Sequence, residues 1–266
     1  SMCPVFMYMH AGIFVALDRF DIPQGFMHLA LAADMDIYSV HYPVEMDKNM
    51  DFVREELDKA LNVIQQETTM PIILSGASAG VTYALDMAHR HTNIFHGLIL
   101  ESGIVCSRNY ESTPFCRMMA ETEYSRSPLP NLCFKDFVPD IPVLHLSVEN
   151  DHLIGKENEE NPFFKNPKLT TCRADCALHS YSLAIGFGCW SDAVSWLERN
   201  FDVKVSIKVD LSSLLYEVRQ SASCLFSLLS NILPVEIVCK QYCIDAIQDP
   251  YARKLPGCTD AILETV

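Results

Sequence analysis

The chain has 266 residues, 49% of them hydrophobic and 20% charged, with a formal net charge of −14. That length suits one large α/β domain, or a smaller one with an appendage, around a substantial core. So acidic a chain repels phosphate backbones and anionic headgroups, which excludes nucleic acid and polybasic membrane docking as working readings.

In chain order, Cys3 to Met9 reads as a buried strand. Phe14 to Ala33 reads mostly as helix, interrupted at Pro23 and Gly25, and Asp36 to His41 is a second strand stopped by Pro43. Asp47 to Glu67 is the clearest helix. Phe52, Leu57, Leu61 and Ile64 fall on one face, with Glu55, Glu56, Asp58 and Lys59 mostly opposite. Strands follow at Pro71 to Ser75, His96 to Glu101 and Pro142 to Val148, with helices at Val81 to His91 and Asp192 to Asn200. The last helix carries Val194, Trp196 and Leu197. Such alternation predicts an α/β fold, a mostly parallel sheet with helices on both faces. Active sites in sheets of that kind form outside the carboxyl ends of the strands.

Two segments break the rhythm. Residues 104–140, rich in Pro, Met, Arg and aromatics, form an insertion of the length expected for a lid. Beyond Asn200, Val203 to Val209 alternates like a half-exposed strand and leads into helical material without a catalytic signature. The predicted organisation is a core over residues 1–200 and an extension over 201–266 packed on it. Val203, Val205, Ile207 and Val209 would face inward from an added edge strand.

The 11 cysteines are scattered and odd in number. Neither Cys172/Cys176 nor Cys239/Cys243 has the spacing of a zinc or redox pair, so free structural thiols are expected, and no metal. Ser227, Ser230, Asn231 and Pro234 interrupt the longest apolar stretch, so no stable membrane insertion is expected. The sequence does not open with a basic region followed by a long apolar run, and a reducing cytoplasm is the expected compartment.

Gly76-Ala77-Ser78-Ala79-Gly80 follows the third strand directly and opens a helix. G-x-S-x-G in this context has a mechanical reason. The serine occupies a strained turn, and the flanking glycines let strand and helix approach closely. Its hydroxyl projects from the sheet top, where the next backbone N–H can face a developing oxyanion.

With these residues the chain resembles the α/β-hydrolase superfamily, and more loosely its esterase and lipase branches, over about residues 3 to 200. The resemblance rests on Gly76 to Gly80, on His10-Ala11-Gly12 after the first strand, on Asp151 after the fifth, and on His179 before the closing helix. It implies a serine hydrolase without cofactor, acting on a small-molecule ester, with thioester and amide left open. Ser78 would be the nucleophile, His179 the general base and Asp151 the acid that orients it, in the family's chain order. Backbone N–H groups of Ala11 or Gly12 would join that of Ala79 in the oxyanion hole.

Asp140 and Asp175 are weaker rivals to Asp151, and His145 and His152 to His179; His89, His91 and His96 lie beyond the helix after the elbow. Tyr110, Phe115, Met118 and Met119 in the lid imply a mainly apolar substrate, while Arg108, Arg117 and Arg126 suit an anionic group equally well. The chain departs from the family in three ways. Ala11 replaces a glycine, Val148 stands where relatives often carry one, and the two strands that usually precede the oxyanion-loop strand are missing. The competing expectation is a non-catalytic binding protein on the same fold, with the extension as its partner-binding surface. An acyltransferase would share the same acyl-enzyme.

Overall fold

A computed structural model describes residues 3–11, 24–42, 50–103, 105, 132–149, 151, 160–174, 183 and 189–205. Its strands are β1 (Val5–Met9), β2 (Ile37–Val40), β3 (Ile72–Ala77), β4 (Phe95–Glu101), β5 (Val143–Val148) and β6 (Leu169–Ala174). The helices are α1 (Gln24–Ala32), α2 (Met50–Glu67), α3 (Ala79–Arg90) and α4 (Trp190–Phe201). Six strands form one sheet in the order β2-β1-β3-β4-β5-β6, and every neighbouring pair is parallel. All carboxyl ends therefore lie along one edge.

The near-continuous apolar strands are explained by burial on both faces. Along β1, Val5, Met7 and Met9 join the cluster under α2 and α3, while Phe6 and Tyr8 join the one under α1 and α4. The same alternation splits β3, with Ile72 and Leu74 on the first face and Ile73 and Ala77 on the second. Phe26 of α1 packs on Phe6 and Tyr8 with ring centroids 4.8 and 5.0 Å apart. Trp196 of α4 is fully buried against the same layer.

The expected fold class holds, and some details differ. The α2 face turned inward is Val53, Leu57, Leu61 and Ile64; Phe52, expected in that row, is 38% exposed. Val53, four residues before Leu57, continues the stripe that Phe52 leaves by one helical step. Strand β6 was not foreseen, because Leu169-Thr-Thr-Cys-Arg-Ala174 is a half-exposed edge strand without an apolar run. Val203 to Val205 form no strand, and β2 and β6 hold the edges of the described sheet. Val203 and Val205 nevertheless pack against the α4 layer while Lys204 is exposed. Residues 206–266, with Ile207 and Val209, lie outside the described residues. So does most of the 104–140 insertion, including Tyr110, Phe115, Met118, Met119 and the three arginines.

Cys3, Cys172 and Cys189 are free thiols, as expected, but Cys133 is disulfide-bonded, which corrects the expectation for that residue. Its partner lies outside the described residues. Among the described residues no helix is long and apolar enough to cross a membrane, and no cluster of ligating side chains could hold a metal ion.

One charge network fixes α3 against α2. Asp86, 1% exposed, accepts hydrogen bonds from Arg54 at 3.0 and 2.6 Å and from Arg90 at 3.0 Å. Arg90 also binds both oxygens of Asp58 at 2.8 Å, and His91 Nε2 lies 2.9 Å from the same carboxylate. Burial works against ionised Asp58, yet the hydrogen bonds from Arg90 and His91 outweigh it and hold the carboxyl below its ordinary value. A carboxyl lowered by folding contributes stability that is complete above its unfolded value and drains as pH falls through the folded one.

Removing Asp86 takes from Arg54 and Arg90 the one buried carboxylate they share, leaving Arg54 only the more distant Asp51 at 3.5 Å and Arg90 the half-exposed Asp58. Asp86→Ala is expected to lower the unfolding free energy by about 3 kcal/mol, the low end for a broken buried pair because both arginines keep partial solvent. Val63→Ala, on the exposed side of α2, should stay within about 0.5 kcal/mol. Urea denaturation of the two variants checks both values.

Candidate active site

The elbow is built by three close approaches at the carboxyl edge. β3 ends at Ala77, Ser78 makes the turn, and α3 begins at Ala79. Ser78 has φ 52° and ψ −120°, a left-handed backbone that a non-glycine residue adopts only when its surroundings enforce it. Its N–H donates to the Glu101 carbonyl at 2.8 Å, which extends the β3–β4 ladder into the turn, and its own carbonyl accepts from Val81 at 3.1 Å. A Cβ on Gly76 would sit 2.5 Å from the Gly80 carbonyl oxygen, and one on Gly80 would collide with the Met9 and His10 carbonyls. Strand, turn, helix and the end of β1 thus meet where only glycine fits.

The loop after β1 is pressed against this turn. Met9 pairs with Gly76 in the β1–β3 register, so His10 and Ala11 continue alongside Ala77 and Ser78. His10 is fully buried, stacks on Tyr42 at 4.0 Å with rings 2° from parallel, and has Nδ1 2.6 Å from the Ala11 carbonyl oxygen. A carbonyl only accepts, so Nδ1 carries a proton and His10 braces the loop. Ala11 is half-buried; Gly12 lies outside the described residues. Ala79 is in the first helical turn, whose N–H groups have no partner within the helix.

Asp151 follows β5 by three residues and is half-buried at the same edge as Ser78. Its rival Asp140 precedes β5, at the opposite edge, where it is exposed and bonded to Lys168 at 2.6 Å. That hydrogen bond, with the ammonium charge, holds the Asp140 carboxyl below its ordinary value. Asp175, His152 and His179 lie outside the described residues. β6 runs parallel to β5 and ends at the carboxyl edge with Ala174. Of the other histidines, His145 sits within β5 against Phe164. His89 packs on Phe134 and Phe137, and His91 binds Asp58. The helix carrying His89 rises about 1.5 Å per residue away from Ser78.

Glu101 was read only as the end of a strand. It is 1% exposed, its backbone oxygen holds Ser78, and its Oε1 accepts the Leu183 N–H at 3.2 Å. A carboxylate closing an apolar strand beside a turn was the available signal, because Glu is almost never fully buried without partners. Cys189, just before α4, feels it as well. Burial chiefly pushes the Cys189 thiol up, and Cys172, Asp192 and Glu101 add to the shift.

Solved structures share this architecture. The chain matches an esterase of Pyrococcus furiosus with a TM-score of 0.59 at 13% identity, covering 75% of this chain and 82% of that one. An alpha/beta hydrolase superfamily protein from Enterococcus faecalis gives 0.55 at 13% identity over 75% and 89%. A Staphylococcus aureus protein of unknown function gives 0.53 at 17% identity over 69% and 83%. No protein-family model matches the chain, and neither does any curated protein. At such identities the fold is what is shared, and the fold of this chain is that of the α/β hydrolases.

The glycine contacts make the elbow intolerant of a single methyl group. Gly80→Ala is expected to cost more than about 1 kcal/mol. For a domain of this size that lowers the melting temperature by at least roughly 2–4 °C in a thermal melt.

Proposed function

We propose that the protein is a serine hydrolase that cleaves carboxylic esters through an acyl-enzyme on Ser78. The observation that carries this reading is the left-handed Ser78 held between β3, α3 and the loop after β1. Packing calls for a left-handed residue there, but glycine would meet that demand without strain, so the serine itself is left for the chemistry to explain. Ser78 Oγ attacks the acyl carbonyl carbon while His179 takes its proton, and Asp151 holds the imidazole and stabilises its charged form. The N–H of Ala79 and that of Ala11 or Gly12 receive the oxyanion. Collapse breaks the acyl–oxygen bond and His179 returns the proton to the leaving alcohol. Water then repeats the sequence on the acyl-enzyme, and an alcohol or amine in its place would make the protein an acyltransferase.

Neither a metal nor a cofactor enters this scheme. The lid residues Tyr110, Phe115, Met118 and Met119 support a mainly apolar acyl or alkyl group, and Arg108, Arg117 and Arg126 support an anionic one equally well. The extension over residues 201–266 is the proposed seat of any protein partner. Free thiols at Cys3, Cys172 and Cys189 support a reducing cytoplasm, and the disulfide at Cys133 opposes it. Counting alkylated thiols in protein taken directly from lysate decides between them.

The geometry favours one refinement. Glu101 is a second carboxylate beside the elbow, and it holds Leu183, four residues beyond His179. If Asp151→Asn leaves turnover intact and Glu101→Gln removes it, Glu101 is the orienting acid.

A fluorophosphonate probe should label Ser78 alone, as mapped by mass spectrometry, and Ser78→Ala should lose both labelling and ester turnover. Absent labelling in folded protein is the outcome expected of a binding protein on this fold. Asp151→Asn should fold normally and lose several orders of magnitude in kcat. Only a neutral imidazole accepts the serine proton, so acylation should fall as pH drops through the histidine's titration. A flat single-turnover profile from about pH 5 to 8 would remove the histidine base.

A further inference from the structure

Tyr42 ties together the two halves of the proposed oxyanion machinery. It follows β2 by two residues and is fully buried. One ring face stacks on His10 at 4.0 Å, and the ring also meets Tyr83 of α3 at 4.5 Å and 52°. His10 belongs to the loop after β1, and Tyr83 to the helix that begins beside Ser78. The Tyr42 hydroxyl donates a hydrogen bond to the His10 carbonyl oxygen.

That bond matters because of the peptide unit it grips. The His10 carbonyl and the Ala11 N–H belong to one peptide, and no described peptide bond is cis. In a planar trans peptide the C=O and N–H point in opposite directions. Fixing the His10 oxygen therefore fixes the direction of the Ala11 N–H and the entry of the chain toward Gly12. Gly80 limits the same carbonyl from the helix side, and His10 Nδ1 clamps the next one, Ala11 O, at 2.6 Å. Stacking alone would be served by phenylalanine. The hydroxyl adds directional control of one peptide plane.

We propose that Tyr42 is a positioning residue for the oxyanion loop, acting through the His10–Ala11 peptide. This rests on the serine hydrolase reading. Oxyanion donors work because they are held in place before charge develops, and losing one donor outright lowers kcat by about 10²–10³. Loosening a donor's orientation should cost less than deleting it.

The test is steady-state ester hydrolysis and fluorophosphonate labelling by wild type, Tyr42→Phe and Ser78→Ala, each with a thermal melt. Tyr42→Phe should lower kcat by about tenfold or more, below the loss of a whole donor, with KM within about threefold and labelling slowed in parallel. 4-Aminophenylalanine at position 42 keeps a ring and a donor and should restore most of kcat. If the phenylalanine variant does not fold, 4-fluorophenylalanine fills the hydroxyl volume without donating and takes its place. Unchanged kcat and labelling in the non-donating variant overturn the proposal, whatever the melt shows, provided Ser78→Ala is inactive. Turnover by Ser78→Ala instead overturns the serine hydrolase reading itself.

Discussion

The close approach of the start of α3 to the end of β1 is the constraint on which the rest of the structure depends. Gly80 lies so near the Met9 and His10 carbonyls that no side chain fits between them. Bringing the helix that close forces the chain to leave β3 in a single residue, and Ser78 turns left-handed to do it. The strain is distributed into the ladder, since the Ser78 N–H is still held by Glu101 as though the strand continued. Small residues on both sides are therefore a geometric requirement of the turn, whatever chemistry the serine performs.

Around that turn the parallel register does the assembling. Met9, Gly76, Leu100, His145 and Thr171 lie in one row across five strands. Each strand ends within a few residues of that row, so every loop that follows begins at the same edge. The loop after β1, the elbow, Glu101 and Asp151 all stand at that edge, contributed by separate stretches of chain. Leu183 returns to it through the Glu101 carboxylate. In such a design the sheet supplies position, and the loops supply chemistry.

Much of this was legible in the sequence, for physical reasons that also mark where legibility stops. Strands buried on both faces read as continuous apolar runs, and β1, β3, β4 and β5 were recognised from them. β6 escaped because an edge strand with Thr170, Thr171 and Arg173 carries little apolar signal. α2 was recognised by its period, but its inward stripe was placed one residue early at Phe52, since an aromatic side chain weighs more in a pattern than Val53. The elbow announced itself because G-x-S-x-G encodes a steric requirement locally. Glu101 and Tyr42 did not, because their importance comes from partners 82 and 32 residues away in the chain. Separations of that size have no local pattern.

The arginine pair around Asp86 acts as a mechanical stop. Apolar helix faces tolerate sliding and rotation, because one methyl group substitutes for another at little cost. A buried anion held by Arg54 from α2 and Arg90 from α3 has no second position to move to. Turning α3 by one residue, or shifting it by one turn, would drag Asp86 away from Arg54 and Arg90 away from Asp58, the two contacts that cross to α2. The start of α3, directly after Ser78, therefore inherits its rotational setting from a charge eight residues beyond that serine.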